Sequence, residues 1–421
     1  MAAILGEATK AKRRKMLETL ATTGVALGDV YRETLQRIGE QNDGLSELGM
    51  RVLMWVSHSR RPLQIAELCH ALVVEIGSME LNPDDAPSAD SIIDSCLGLV
   101  IIDEQSTFRL IHHSLREYID DNNIFPRVHQ TLAETCLTCL NFSQANNLSV
   151  GSTPNCQYAS FLEYCSVYWG THARMQPSDL SKELALKLFS HFENSVSPKS
   201  PLANDEHWRA EFRAHFPFSA LHYACHLGIV ELVAYLIGMA DCEVNGKDFT
   251  GKTSLQWASK NAHEAVVRLL LEVGNVNPDE VDDDGGTALI EACHHGHEGV
   301  VRLLLANKNV NPEKADKGGK TPLMIASSCP HEGVVRLLLA RDDVDPNRSD
   351  NEGKTALYWA SFLGYSEVVR LLLETHDVDP NKPDKSGDTP LIEACHAGHE
   401  ETVRLLLGRH DINPDKLNND C

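Results

Sequence analysis

The stretch GGTALIEACHHGHEGVVRLLLANKNVNPEKAD, residues 285–316, decides the fold, because nearly the same text returns at residues 387–415 as GDTPLIEACHAGHEETVRLLLGRHDINPD. Working outward from these copies, the phrase Thr-x-Leu-x-x-Ala, with Ser allowed for Thr, is anchored at Ser219, Thr253, Thr287, Thr321, Thr355 and Thr389, each step being 34 residues. Self-similarity at one fixed step of this length marks a stacked array, in which a single unit is too small to bury its own core. The wording of the unit has physical reasons. Asp248, Asp282, Asp316, Asp350 and Asp384 open five copies of Asp-x-x-Gly-x-Thr, where Asp accepts local backbone bonds and Gly tolerates an unusual turn conformation. Thr then caps a short helix whose Leu and Ala face a core. Gly228, Gly296, Gly364 and Gly398 break that helix, and Val-Val-x-Leu-Leu-Leu supplies the apolar stripe of a second one.

Five equal intervals with matched wording resemble the ankyrin family, whose repeats stack as helix pairs with projecting turns. The resemblance implies six ankyrin repeats over residues 218–421 and a fold that binds other proteins through its turn tips and first-helix surface. The first unit, FSALHYACHLGIVELVAYLIGMADCEVNGKD (218–248), is worn and more apolar, as expected where it packs on preceding structure. Pro330 replaces the helix-breaking Gly of the fourth unit and is expected to alter that turn. The last unit keeps Val403, Leu405 and Leu406 without a polar cap, so the chain is expected to be a fragment of a longer array or to meet a partner there.

Residues 45–120 obey a different grammar. Leu45, Leu48, Val52, Leu53 and Val56 make one helical face. A second helix is expected to open at Pro62 and end at Gly77, and a third around 89–97. A strand LGLVIID, a polar turn EQST and a strand FRLIHH running into the helix SLREYI complete a winged-helix arrangement. With RVLMWVSHSRR (51–61), the phrase at 62–76 and LIHHSLREY (110–118), the stretch is similar to the winged-helix segment of fungal NACHT–ankyrin proteins. Residues 121–217 are similar to the helical connector of that family. The overall expectation is a mainly α chain: an N-terminal helical segment (1–44), a winged-helix-like module (45–120), a helical connector (121–217) and the ankyrin solenoid (218–421). Residues 1–44 are too few for the family's nucleotide-binding core, so no ATP switch is carried over. His112, which the family would place against a nucleotide phosphate, reads as an ordinary strand-to-helix residue.

Composition limits the function classes. The 421 residues carry a formal charge of −22 and 42% hydrophobic residues. An acidic chain repels phosphate backbones, which argues against direct nucleic-acid binding. No apolar run approaches a bilayer span, and the N-terminus is not a secretory signal. The twelve cysteines lie scattered in a chain too large to need stapling, so reduced thiols and an intracellular location, cytoplasmic or nuclear, are expected. The run Lys10, Lys12, Arg13, Arg14, Lys15 is dense enough for nuclear import, and the other reading is a solvated helix start.

Several motifs imitate chemistry. Gly246–Thr253 literally satisfies the phosphate-loop pattern G-x-x-x-x-G-K-[ST], yet it falls in the phase of the repeat turn, which explains every residue. Cys136 and Cys139 form a CxxC on an amphipathic pattern and read as core. His294, His295 and His297, and His396 with His399, lack the carboxylate partner of a helical zinc site. His263, His297, His331 and His399 share one repeat phase, at which a histidine satisfies loop backbone. No catalytic set, cofactor or metal site emerges. The expectation is a non-enzymatic scaffold or regulatory adaptor, with a nuclear transcription co-regulator holding a DNA-binding partner and a residual ATP-binding regulator as the alternatives. Partner contacts are expected where the repeats vary: Phe249, Asp283, Asp284, Lys317 and Lys385 at the turn tips, and His294, His295, Phe362 and Leu363 at the exit of the first helix. Trp257, Tyr358 and Trp359 lie one turn earlier, between inter-repeat packing and binding.

Overall fold

Polar side chains set where the helix Asp43–His58 of the N-terminal half and the first helix of each repeat start. The computed structural model describes residues 27–78, 80, 85–142, 159–190, 219–248 and 250–416. The chain divides into two compact units, Met1–His215 and Phe216–Cys421. The basic run at Lys10–Lys15 and the candidate contact Phe249 lie outside the described residues.

In the first unit, α1 (Leu27–Gly39) is followed by α2 (Asp43–His58). Asn42 caps α2 by accepting the Leu45 amide at 3.0 Å, and the helix buries Val52, Leu53 and Trp55. The next helix, α3 (Ile65–Val73), starts later than Pro62 and stops short of Gly77. The reason is tertiary. Leu63 accepts the Phe108 amide (2.9 Å) and Ser106 accepts the Ile65 amide (3.2 Å), which holds residues 63–65 extended against the hairpin. Glu67 then accepts the Gln64 amide at 2.8 Å and so fixes the first turn. After α4 (Ala89–Ser95) come β1 (Val100–Ile102) and β2 (Phe108–Leu110), an antiparallel pair with Val100 opposite Leu110 and Ile102 opposite Phe108. Three helices and this hairpin make the winged helix. α5 (His113–Asp121), α6 (Val128–Leu140), α7 (Ala159–Met175) and α8 (Asp179–Ser190) follow.

Two polar features cross this unit's core. The Glu67 carboxylate, 3% exposed, is gripped at both oxygens by Arg61, at 2.6 and 2.7 Å. Tyr164 accepts the Arg60 amide (3.1 Å) and hydrogen-bonds His172 Nε2 (3.0 Å), and His172 Nδ1 hydrogen-bonds His129 Nδ1 (2.9 Å), one ring donating and the other accepting. Burial, reinforced by nearby cationic groups, lowers the pKa of His129 to about 4 and of His172 to about 3. His58 donates to Asp120 at 3.0 Å, but burial outweighs that carboxylate and lowers its pKa too. The three imidazoles are neutral at pH 7.

The second unit contains six helix pairs among the described residues: α9 (Ala220–Leu227) and α10 (Val230–Ile237), α11 (Ser254–Lys260) and α12 (Glu264–Glu272), α13 (Ala288–His294) and α14 (Glu298–Ala306), α15 (Pro322–Ser327) and α16 (Glu332–Leu339), α17 (Ala356–Leu363) and α18 (Ser366–Glu374), and α19 (Pro390–His396) with α20 (Glu400–Leu407). The repeated Thr caps each first helix from the second pair onward; Thr287, for example, accepts the Ile290 amide at 3.2 Å. Leu289, Ala292, Val300, Val301 and Leu304 are each at most 1% exposed, as the apolar phase predicts. Gly296 turns out of α13 at φ 73°. Ala262 holds the same phase at φ 59° with a Cβ present, a conformation costing about 1–2 kcal/mol outside glycine. Pro330 alters the turn as expected. Its ring cannot take a positive φ, and α15 ends two residues before it, at a cap on Ser328 with φ −84°.

Candidate protein-binding face

The turn tips are built by the aspartates that open each repeat. Asp248 Oδ1 accepts the amides of Thr250 (2.8 Å) and Lys252 (2.9 Å); Asp282, Asp350 and Asp384 do the same for the amides two and four residues on. Each shaped tip is then tied to the next. The Asp283 amide donates to the Thr250 carbonyl, Lys317 to Asp284, Asn351 to Gly318 and Lys385 to Glu352, at 2.9–3.1 Å. The backbone is thereby held in register across five repeats, and the tip side chains are left pointing outward. Asp283, Asp284, Lys317 and Lys385 are all exposed.

The exits of the first helices lie beside this row. His294 and His295 are exposed, Phe362 is 42% exposed, and Leu363 is half-buried. The histidines of the second-helix starts lock neighbouring repeats together. His263 Nε2 donates to the His226 carbonyl (2.8 Å), His297 to Lys260 (2.8 Å), His331 to His294 (3.1 Å) and His399 to Phe362 (3.0 Å). A Cβ on Gly296 would lie 2.5 Å from the His331 ring, so glycine in this phase makes room for the neighbour's imidazole. In the fifth repeat Tyr365 stands in the histidine phase, facing the repeat in which Pro330 replaced glycine.

The imitation motifs resolve into structure. Gly246–Thr253 is a repeat turn followed by the seven-residue α11, and Lys252 is engaged by two carboxylates of the next repeat, Asp282 and Glu291 (2.6 Å to Glu291). Burial disfavours that ammonium, yet Glu291 and Asp282 more than offset it and raise its pKa. Cys136 and Cys139 are buried together with Cys165, whose thiol burial pushes well up and keeps protonated. His112 caps α5, its Nδ1 accepting the Ser114 amide at 3.3 Å. Among the described residues no group of three or more His, Cys, Asp or Glu is arranged to hold a metal ion, and no helix is long and apolar enough to cross a membrane.

One part of the face was not singled out by the repeat pattern. Trp257 and Trp359 occupy the same phase, and each indole donates to its turn aspartate, Trp257 to Asp248 at 2.8 Å and Trp359 to Asp350 at 3.0 Å. Trp257 is 2% exposed, with His226 of the preceding repeat edge-on at 5.2 Å. Ser328 holds the His226 phase ahead of Trp359 and is too small to cover it, so Trp359 stays half-buried. Lys320 lies over its ring at 3.8 Å from the centroid, Lys354 at 5.3 Å, and Phe362 meets it edge-on at 6.3 Å. The missed signal is a register: Lys320 stands to Trp359 as Lys252 stands to Glu291, so the same reach finds a ring instead of a carboxylate.

A family model described as ankyrin repeats matches three times, at residues 201–280, 273–350 and 342–418. A model described as the winged helix domain of GPI inositol-deacylase matches residues 40–127. Solved structures similar to the chain include an ankyrin repeat domain of Acinetobacter baumannii (29% identity, TM-score 0.41, covering 44% of this chain and 95% of that one). A human ASB11 ankyrin repeat domain is also similar (26% identity, TM-score 0.43, covering 48% and 88%). Among curated proteins none matches. The three ankyrin matches together span just over half of the sequence, and the chain belongs to the ankyrin-repeat family.

Proposed function

We propose that the chain is a non-enzymatic scaffold or regulatory adaptor that binds another protein through the turn tips and first-helix exits of its repeats. The supporting observation is that Phe362, a large apolar side chain that the repeat core does not need, stands 42% exposed beside the ordered row of tips. Such aromatic anchors carry much of the energy of protein interfaces. On the same footing, the N-terminal unit is read as a relative of the winged helix and connector of fungal NACHT–ankyrin proteins, a reading supported by its helix–hairpin order and by the winged-helix match at residues 40–127. The test is affinity capture with the wild type, Phe362→Ser and Leu363→Ser, with Arg302→Ser as a control on the exposed side of α14. A prey retained by the wild type and the control and lost from the two face variants is expected. Equal recovery by all four proteins would refute the assignment of the face.

A further inference from the structure

We propose that the patch around Trp359 is a docking site for an acidic, extended segment of the partner protein, with two carboxylates at alternate positions and an apolar side chain near them. This rests on the protein-binding reading above and adds the chemistry of the ligand.

Three observations carry it. First, Trp55, Trp169 and Trp257 are each at most 2% exposed, whereas Trp359 alone among the described tryptophans is only half-buried, because a serine replaces the covering histidine one repeat earlier. Second, the two ammonium groups against that ring, Lys320 and Lys354, form no ion pair or hydrogen bond among the described residues. The chain carries 60 acidic against 38 basic residues, and the equivalent Lys252 is held by Asp282 and Glu291. For Lys320 the phase of Glu291 is occupied by Trp359 itself; for Lys354 it is occupied by Glu393, yet the ammonium lies against the Tyr358 and Trp359 rings, at 5.1 and 5.3 Å from their centroids, and forms no ion pair with that carboxylate. A cation pair kept beside an open aromatic ring, in a protein so rich in carboxylates, is complementary to an anion supplied from outside. Third, the neighbours bound the site. The exposed Lys317 continues the cationic character along the tips. Phe362, edge-on to Trp359, offers an apolar shelf.

The spacing admits an extended ligand, which is the form proposed here. Both ammonium groups lie within 5.3 Å of one ring centroid, and side chains two apart on an extended strand point the same way at roughly 7 Å. A segment of the form Glu-x-Glu or Asp-x-Asp therefore answers both lysines from one edge. An apolar residue next to the pair rests on Phe362 and the open part of the indole. A basic or phosphate-seeking partner would be repelled.

The experiment uses the full chain and a fluorescein-labelled nonapeptide with Glu at alternate positions and a central Leu, beside its Gln-for-Glu counterpart. Binding is read by anisotropy and by quenching of tryptophan fluorescence. The Glu peptide is expected to bind, and the Gln peptide to bind at least about tenfold more weakly. The double variant Lys320→Glu/Lys354→Glu should lose binding by a similar factor, and Lys320→Gln by less, with melting temperatures confirming that both fold. Trp359→Leu should abolish the quenching. Equal binding of the two peptides, no binding of the Glu peptide, or undiminished binding by a folded double variant would each overturn the proposal. So would a dimer in sedimentation velocity that the double variant dissolves, which would assign the patch to a second copy. A captured prey that is lost on Phe362→Ser but retained by Lys320→Glu/Lys354→Glu would leave the protein-binding reading intact and sink this one alone.

Discussion

In the repeat array His297 reaches back to the Lys260 carbonyl, and the same reach recurs at His331 and His399. In the N-terminal unit the contact of His129 with His172 joins two helices across 43 residues and occurs once. The array thus distributes its polar bonds as equivalent, mostly half-exposed links, so that losing one affects one junction. The N-terminal unit concentrates its bonds on buried groups, His172 and Glu67, whose partners have no equivalents elsewhere in the unit. The two halves should therefore answer perturbation differently, and unfolding of each can be followed separately by urea titration with proteolysis and mass spectrometry.

The largest difference is expected from pH. His129 and His172 are neutral in the folded unit and titrate near the ordinary imidazole value of about 6.5 once unfolded. Their contribution is fully present above about pH 6.5 and is lost as pH falls toward their folded values of about 4 and about 3. The N-terminal unit should lose on the order of 3 kcal/mol by about pH 4.5, and His172→Gln should flatten that profile. A profile unchanged by His172→Gln would contradict the assignment. Arg61→Ala comes next: it strands the Glu67 carboxylate, 3% exposed, without its cation. A loss of about 3 kcal/mol is expected, confined to the N-terminal unit.

In the array, Gly296→Ala should cost about 2 kcal/mol, because it combines a positive φ with a Cβ 2.5 Å from the His331 ring. That loss should stay at one junction. The smallest effect has the opposite sign. Ala262→Gly relieves a left-handed alanine and should stabilise the array by about 0.5–1 kcal/mol, measured as a rise in the urea midpoint. A decrease would show that the alanine is not strained.

The same contrast explains what could be read in the sequence. The 34-residue step, the Thr caps, the aspartate turns and the backbone role of the phased histidines are local or one repeat away, so the text states them directly. The late start of α3 depends on Phe108 and Ser106 pairing with Leu63 and Ile65, which local propensity does not reveal. The His129–His172–Tyr164 chain is hidden for the same reason. On the candidate face, exposure of Asp283, Asp284, His294, His295, Lys317, Phe362 and Lys385 follows the expected variable positions. The opening of Trp359 did not stand out, because it depends on Ser328 replacing a histidine one repeat earlier while the tryptophan's own phase looks the same as that of Trp257.

The central claim is that the tips and first-helix exits, and not the exposed side of the second helices, meet the partner. Placing the photo-crosslinker p-benzoylphenylalanine at position 362, and separately at position 302 on α14, tests it directly. Irradiation is predicted to give one discrete cross-linked product from position 362, suppressed by the acidic nonapeptide, and none from position 302. Cross-linking from position 302 alone, or equally from both, would contradict the account.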